Sequence, residues 1–198
     1  MPDFEEYINE IKVLWENRWL SNRGIKHREF EELLAKKLDV KNISLFANGH
    51  VALEVAIDAF GFPRGSEVIT TPYTHCSTTH SIVRNGLIPV FCDVNDFDYT
   101  IDVNLIESKI TSKTVAIVPT HVYGAICDVE AINKIAQKYN LKVIYDAAHA
   151  FGITYKGKGI ANWVIAFILS VYFLAGKEKI KSGIKKLMSV TMRSDVYS

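Results

Sequence analysis

The stretch VAIVPTHVYGAICDVEAINKIAQKYNLKVIYDAAHAFG, residues 115–152, decides the fold. It contains two short apolar runs, Val115–Pro119 and Val143–Tyr145, and between them Val129–Tyr139 has the pattern of a helix. A strand, a helix and a second strand in this order are typical of a parallel sheet. Both runs are continuously apolar, which predicts strands that are buried on both faces.

The same alternation continues toward the N-terminus. Three further apolar runs precede this stretch, at Ile43–Phe46, Val68–Thr71 and Pro89–Cys92, and helical stretches follow them at Val51–Phe60, Cys76–Asn85 and Asn104–Ile110. This order predicts an α/β fold in which helices cover both faces of a mostly parallel sheet, a three-layer α/β/α architecture. Still earlier, apolar residues at helical spacing predict two helices, over Phe4–Trp19 and about Arg28–Leu38. We therefore expect an N-terminal helical segment at residues 1–40 and a sheet domain from residue 41.

The composition is that of an ordinary globular protein. Apolar residues make up 48% of the 198 residues, and the formal net charge is +1, which gives no electrostatic signal for nucleic acid or an anionic membrane. The cysteines, Cys76, Cys92 and Cys127, have no metal-like or paired spacing, so we expect no metal site and a cytoplasmic location. The longest apolar run, residues 163–176, is shorter than the roughly 20 residues that cross a bilayer.

Candidate site residues follow the predicted strands, because ligands of parallel sheets bind beyond the carboxyl ends of the strands. Gly49 and His50 follow the first run and begin a helix. A glycine here lets backbone N–H groups approach a phosphate, or it serves only the turn. His75 lies among rings and hydroxyls after the second run, where Tyr73 is placed to stack on a planar cofactor or to pack in the core.

Asp146 directly follows the last apolar run. A buried aspartate is costly unless a cationic group pairs with it, and a protonated pyridine nitrogen is such a group. Pyridoxal phosphate (PLP) acts as an electron sink only while that nitrogen stays protonated. The alternative is that Asp146 caps a helix. His149 is placed to reach a ring substituent. His121 and Tyr123 are placed to line the site. The alternative for His121 is a partly buried histidine whose hydrogen bonds are satisfied within the protein.

Six blocks in order, NG, TTPYT, PVFCDV, PTHVYG, VIYDAAHAFG and YKGKGI, resemble the DegT/DnrJ-type sugar-nucleotide aminotransferases, a branch of the aspartate-aminotransferase fold. The resemblance covers about residues 4–163. It implies that residues 41–163 form the large domain of a type I PLP-transferase. It also implies an enzyme that transfers an amino group from glutamate to a keto carbon of a nucleotide sugar, for O-antigen or other surface polysaccharides, and that works as a homodimer.

The resemblance also implies residue roles. Gly49 and His50 occupy the turn that binds the cofactor phosphate, and His75 takes the place of an aromatic ring that stacks on the pyridine. Asp146 pairs with the pyridine nitrogen, and His149 lies near the 3-oxygen of the ring.

The blocks WLSNRG, ISLF and THVYG are most like the family members that make dTDP-4-amino-4,6-dideoxyglucose (viosamine), which implies a dTDP-4-keto-6-deoxy sugar as the substrate. In this comparison Asn22 and Gly24 lie in the loop near the sugar. A nucleotide-binding oxidoreductase would instead show G-x-G-x-x-G after the first strand. The residues there are Ala47-Asn48-Gly49-His50, so we disfavour that class.

The resemblance stops at Trp163. The family continues with Gly-Asp and then Ser-Phe-His-x-x-Lys, whose lysine forms the Schiff base with PLP, but here Val164-Ile165 follows. Loss of one base from a Gly-Asp codon pair would encode Val-Ile. We therefore expect a frameshifted tail at 164–198, with the catalytic lysine and the C-terminal small domain absent. A catalytically inactive fragment is the alternative to a working transaminase.

Overall fold

The computed structural model describes residues 3–21, 23–162 and 167–168. The described chain forms two compact units, one with residues 3–37 and 41–45, the other with residues 38–40 and those from 46 onward. The predicted division at residues 40 and 163 stays a prediction, and the predicted tail lies outside the described residues apart from 167–168. No helix among the described residues is long and apolar enough to cross a membrane.

The N-terminal unit contains two helices, α1 (Phe4–Asn17) and α2 (Ile25–Leu38). Asp3 begins α1 because its carboxylate accepts hydrogen bonds from the backbone N–H groups of Glu5 and Glu6, at 3.0 and 3.2 Å. Lys26 Nζ joins the two helices, since it lies 2.9 Å from Glu10 Oε2 on α1. Both predicted helices are therefore confirmed, with α2 beginning three residues earlier than expected.

The second unit alternates strands and helices, and its sheet is parallel. The strands are β1 (Glu67–Thr70), β2 (Ile88–Phe91), β3 (Thr114–Val118), β4 (Lys142–Val143), β5 (Tyr145–Asp146), β6 (Thr154–Tyr155), β7 (Lys158–Gly159) and β8 (Phe167–Ile168). The helices are α3 (Gly49–Asp58), α4 (Cys76–Arg84), α5 (Val103–Ile106) and α6 (Val129–Lys138). A 3-10 turn at Glu107–Lys109 continues α5, and a second one at Ile160–Asn162 follows β7. The main sheet has the order β2-β1-β3-β4, with every pair parallel.

The strand order creates a crevice at one edge of this sheet. The chain leaves β1 for β2 on one side and returns to β3 on the other side of β1. Where the order reverses in this way, the connections diverge and leave an opening beyond the carboxyl ends of the two central strands. The segments that follow β1 and β3 border this opening. β5 reaches the same edge, because Asp146 forms a parallel bridge with Thr120.

Two apolar clusters cover the opposite faces of the sheet and confirm the three-layer architecture. Successive strand residues alternate between them, so that Val68 packs with α3 and α4 whereas Ile69 packs with α5 and α6. The same alternation places Ile144 in the first cluster and its neighbours Val143 and Tyr145 in the second. The two central strands, β1 and β3, are buried from both sides, which is why their runs read as continuously apolar.

Three predicted elements differ from the structure. Residues 43–46 form no strand, because no strand among the described residues pairs with them, and apolar character alone does not make a ladder. The helix expected at 104–110 is only one turn of α-helix and a 3-10 turn. β2 is an edge strand of the described sheet, so Ile88 and Phe91 are 47% and 46% exposed and not buried on both faces.

Candidate functional site

Asp146 ends β5 at the carboxyl edge of the sheet with only 6% of its surface exposed. Its Oδ2 accepts a hydrogen bond from the Thr78 hydroxyl at 2.8 Å, and its Oδ1 accepts one from the Ala148 N–H at 3.1 Å. A turn follows Asp146, so it does not cap a helix as the alternative interpretation held. Among the described residues, no lysine, arginine or histidine forms an ion pair with this carboxylate.

Three threonine hydroxyls lie next to Asp146. Thr78 is on α4, Thr74 follows β1, and Thr120 follows β3. The Thr74 and Thr78 hydroxyl oxygens are 2.9 Å apart, and the Thr120 hydroxyl donates to that of Thr74 at 3.1 Å. Sequence reasoning missed these residues, because a threonine beside a strand is common. The available signal was a hydroxyl at each of the two strand ends that border the crevice.

His75 is the N-cap of α4. Its Nδ1 accepts a hydrogen bond from the Ser77 N–H at 3.2 Å and lies 2.9 Å from the Ser77 hydroxyl, which fixes the orientation of the ring. The ring stays exposed at the sheet edge, one helical turn before Thr78. Tyr73 is 45% exposed and lies with its ring 5.6 Å from that of Tyr99, so it is not a core residue.

Gly49 and His50 open α3 beside α4. Gly49 is buried, and the N-cap Asn48 accepts a hydrogen bond from the Val51 N–H at 3.0 Å. The Ser81 hydroxyl on α4 donates to the His50 carbonyl oxygen at 3.2 Å, which joins the first turn of α3 to α4. A helix N-terminus with a glycine in its first turn offers free backbone N–H groups to a phosphate.

His149 stacks on Tyr123, with ring centroids 4.9 Å apart and planes 4° from parallel. Tyr123 and Gly124 form a two-residue turn between Val122 and Ala125, and both have positive φ, 45° and 95°. Such values are costly for tyrosine, by roughly 1–2 kcal/mol. The turn directs the tyrosine ring, 78% exposed, over the exposed His149.

His121 is fully buried behind the site. Its Nδ1 accepts a hydrogen bond from the Cys127 N–H at 3.1 Å, and its ring stacks on Tyr145 at 4.9 Å. Burial lowers the pKa of His121 from 6.5 to about 4, and it raises the pKa of the Cys127 thiol to about 12. Its Nε2 and the Tyr145 hydroxyl have no hydrogen-bond partner in the described part of the chain. The interpretation of His121 as a satisfied, partly buried histidine is therefore wrong.

Four of the predicted cofactor residues and Asp146 converge on one edge of the sheet. Helix α4 connects most of them: His75 is its N-cap, the Thr78 hydroxyl donates to Asp146, and the Ser81 hydroxyl donates to the His50 carbonyl oxygen. The Ala148 N–H donates to Asp146 and closes the turn that leads to His149. Asn22 lies outside the described residues. Gly24 is in the other compact unit, in a turn so close that a Cβ there would lie 3.4 Å from the Trp19 carbonyl oxygen.

The residues at this edge fit PLP. Asp146 is a buried carboxylate without a cationic partner among the described residues, which suits a protonated pyridine nitrogen. The α3 N-terminus suits the phosphate, and the two exposed imidazoles, His75 and His149, suit contact with an aromatic ring and its 3-oxygen. The described residues contain no group of three or more metal-ligating side chains.

Comparisons with known proteins show the family of the chain. The model of the DegT/DnrJ/EryC1/StrS aminotransferase family matches residues 3–178. The dTDP-4-amino-4,6-dideoxy-D-glucose transaminase of Escherichia coli is 49% identical over 157 residues, which cover 79% of this chain and 42% of that protein. The GDP-perosamine synthase of Escherichia coli O157:H7 is 38% identical over 159 residues, 80% of this chain and 43% of that protein.

Solved structures show the same fold. NtdA from Bacillus subtilis with bound cofactor PMP superposes with a TM-score of 0.74 at 28% identity, over 81% of this chain and 36% of that chain. PMP is the aminated form of PLP, so the family and this neighbour indicate PLP as the cofactor. The chain spans about 42% of the length of the first relative above, and the family match extends 15 residues beyond Trp163.

Proposed function

Because the chain belongs to the DegT/DnrJ/EryC1/StrS aminotransferase family, we propose that it carries the PLP-binding region of an enzyme that transfers an amino group from glutamate to a keto carbon of a nucleotide-linked sugar. The substrate in this proposal is a dTDP-4-keto-6-deoxy sugar. The 49% identity to the dTDP-sugar transaminase, against 38% for the GDP-sugar synthase, supports dTDP over GDP. The pathway proposed is that of O-antigen or another surface polysaccharide.

The observation that carries this proposal is the environment of Asp146. A carboxylate with 6% exposure and two hydrogen-bond donors still has lone pairs to offer, since an ionised carboxylate has about four acceptor sites. Burial of the negative charge is unfavourable without a cation. A pyridinium N–H supplies both the cation and the missing donor.

PLP, when bound, supplies an electron sink for the amino-group transfer. In the proposed site Asp146 holds the proton on the ring nitrogen, and His75 covers one face of the ring. Gly49 and His50 donate backbone N–H groups of the first turn of α3 to the phosphate. His149, oriented by its stack on Tyr123, contacts the 3-oxygen.

Three further parts of the proposal concern the whole enzyme. Asn22 and Gly24 contact the sugar, a second copy of the chain completes the active site in a homodimer, and the enzyme works in the cytoplasm. The family resemblance supports each of these.

Asp146→Asn tests the central pairing. The substitution keeps the shape and the hydrogen bond from Thr78 but removes the charge, so we expect the affinity for PLP to fall roughly 10- to 100-fold, the range for a lost charged hydrogen bond. The measurement is equilibrium dialysis of the 198-residue chain with PLP, followed by absorbance.

Asp98→Asn is the matched control. Asp98 also accepts a hydrogen bond from a buried threonine, at 2.8 Å, but lies in the loop before Thr100 and outside the proposed site. Its substitution should leave PLP affinity unchanged. If Asp146→Asn binds PLP as tightly as the unaltered chain, the pairing with the pyridine nitrogen is wrong.

A further inference from the structure

The Asp146 carboxylate and the three hydroxyls beside it belong to four separate segments around the crevice. Thr74 follows β1, Thr120 follows β3, Thr78 lies in the first turn of α4, and Asp146 ends β5. Thr78 is fully buried and Thr120 is 3% exposed. Thr74 is partly buried, as are its hydrogen bonds to Thr78 and Thr120, whereas the bond from Thr78 to Asp146 is buried. A buried hydrogen bond contributes more than an exposed one, because water does not compete for its donor and acceptor.

The direction of every hydrogen bond in this group follows from the carboxylate. An ionised Asp146 can only accept, so Thr78 donates its one hydroxyl proton to Oδ2. Thr78 has no second proton, and therefore the contact of 2.9 Å between Thr74 and Thr78 has Thr74 as the donor. Thr74 has then used its own proton and accepts from Thr120, at 3.1 Å.

We propose that Thr120, Thr74 and Thr78 form a one-way chain of hydrogen bonds that ends on Asp146 Oδ2 and holds this side chain in a fixed orientation as the acceptor for a cationic ring N–H. The three threonines are positioning residues, which act through Asp146. The identity of the cation rests on the proposed function, in which it is the pyridine nitrogen of PLP.

The chain of donors has two physical effects. Each hydroxyl that accepts a hydrogen bond becomes a stronger donor to the next group, so the distant Thr120 strengthens the bond that Asp146 receives from Thr78. The carboxylate is also fixed in orientation, because Thr78 holds Oδ2 and the Ala148 N–H holds Oδ1.

The first experiment needs no cofactor. Thr78→Val and Thr120→Val replace a hydroxyl by a methyl group of the same size, and the unfolding equilibrium of each variant and of the double variant is measured by chemical denaturation. We expect each single change to raise the unfolding constant about 5- to 10-fold. The increase in the double variant should be smaller, by about threefold or more, than the product of the two single increases, because the two hydroxyls act in one chain of hydrogen bonds.

Thr100→Val provides the matched control for this cycle. Thr100 is 3% exposed, and its hydroxyl donates to Asp98 Oδ1 at 2.8 Å, so it is a buried threonine bound to a different aspartate. In the double variant with Thr78→Val, the increase in the unfolding constant should equal the product of the two single increases. If the double variant of Thr78 and Thr120 also shows the plain product of its single increases, the one-way chain is overturned.

The second experiment measures PLP affinity. We expect Thr78→Val to weaken PLP binding about tenfold, Thr78→Ser to restore it to within about twofold, and Thr100→Val to leave it unchanged. Thr120→Val removes a hydroxyl three hydrogen bonds away from Asp146, so it should weaken binding about threefold, and it serves if Thr78→Val does not fold. Failure of the serine to restore binding would mean that packing and not the hydroxyl is responsible, and would contradict the proposal.

The unfolding cycle of the threonine variants and the PLP affinity of Asp146→Asn separate the two proposals. Coupling in the unfolding cycle together with unchanged PLP affinity in Asp146→Asn would leave the chain of hydrogen bonds intact and reject the pairing with pyridine. Loss of PLP affinity in Asp146→Asn without coupling in the cycle would do the reverse.

Discussion

At the scale of single residues, His121 makes the stability of the sheet domain depend on pH. Its side chain is buried, and the pKa of about 4 lies below the ordinary 6.5 because burial disfavours the charged imidazolium. Between these two values the unfolded chain binds a proton on this ring and the folded protein does not. Stability therefore decreases as the pH falls from 6.5 to about 4, by about 3 kcal/mol in total.

His121→Asn tests this dependence. The asparagine carbonyl oxygen can replace Nδ1 as the acceptor for the Cys127 N–H, at 3.1 Å in the unaltered chain, but the side chain does not titrate. We expect the unaltered protein to lose about 3 kcal/mol more than the variant between pH 7 and pH 4, although the variant is less stable at pH 7 because of the smaller side chain. The measurement is urea unfolding at both pH values. Parallel pH profiles for the two proteins would show that His121 is not the titrating group.

At the scale of elements, α4 and α6 end in the same way and lead into strands. After α4, Gly86 has φ 72° and its N–H donates to the Val83 carbonyl at 2.8 Å, while the Leu87 N–H donates to Ile82 at 3.2 Å. After α6, Asn140 has φ 53°, and the Leu141 N–H donates to Ala136 at 2.8 Å. These are Schellman ends, which favour glycine at the position of positive φ. The buried leucine that follows each turn anchors the entry into β2 and β4.

Opposite substitutions at these two ends should have opposite effects. Gly86→Ala requires alanine at φ 72° and places a Cβ 2.7 Å from the flexible end of Arg64, so we expect a loss of about 1–2 kcal/mol. Asn140→Gly relieves a strained φ but adds freedom to the unfolded chain, so we expect a gain of about 0.5 kcal/mol. Both are measured by chemical denaturation. A neutral Gly86→Ala variant would mean that the turn rearranges at no cost.

At the scale of the whole molecule, the lysines of the chain decide whether PLP is bound covalently. We propose that no lysine of this chain has that role. Lys156 is exposed and paired with Glu130. Lys158, the described lysine nearest in sequence to the family position, is exposed on β7. Lys177 and Lys179 lie outside the described residues. The chain would then bind PLP by its hydrogen bonds and ion pairs alone.

Borohydride reduction in the presence of PLP, followed by peptide mass spectrometry, tests this prediction. We expect no stoichiometric adduct on a single lysine, and no aminated product when glutamate and a dTDP-4-keto-6-deoxy sugar are added, because the chemistry requires a lysine that also transfers the proton. A GDP-4-keto sugar serves as the control for nucleotide preference. One specifically reduced lysine with amination of the dTDP sugar would establish a working transaminase, and preference for the GDP sugar would reject the proposed substrate.

The sequence by itself determined the layer architecture. The continuous apolar runs at 68–71 and 115–119 and the helical spacing of 129–139 require strands buried on both faces and a covering helix, and the structure confirms them. The same patterns placed Asp146 after a buried strand. Apolar runs and their spacing can be read from consecutive residues, without knowledge of contacts distant in the sequence.

Only the tertiary structure decided which strands pair and which hydroxyls meet. Residues 43–46 are apolar enough for a strand but find no pairing partner among the described residues, and pairing depends on segments distant in the chain. Thr78 and Asp146 are 68 residues apart, and only the reversal of strand order between β1 and β3 brings their side chains within 2.8 Å. A hydrogen bond of this kind leaves no periodic trace in the sequence, since it depends on the distance between two atoms that the fold brings together.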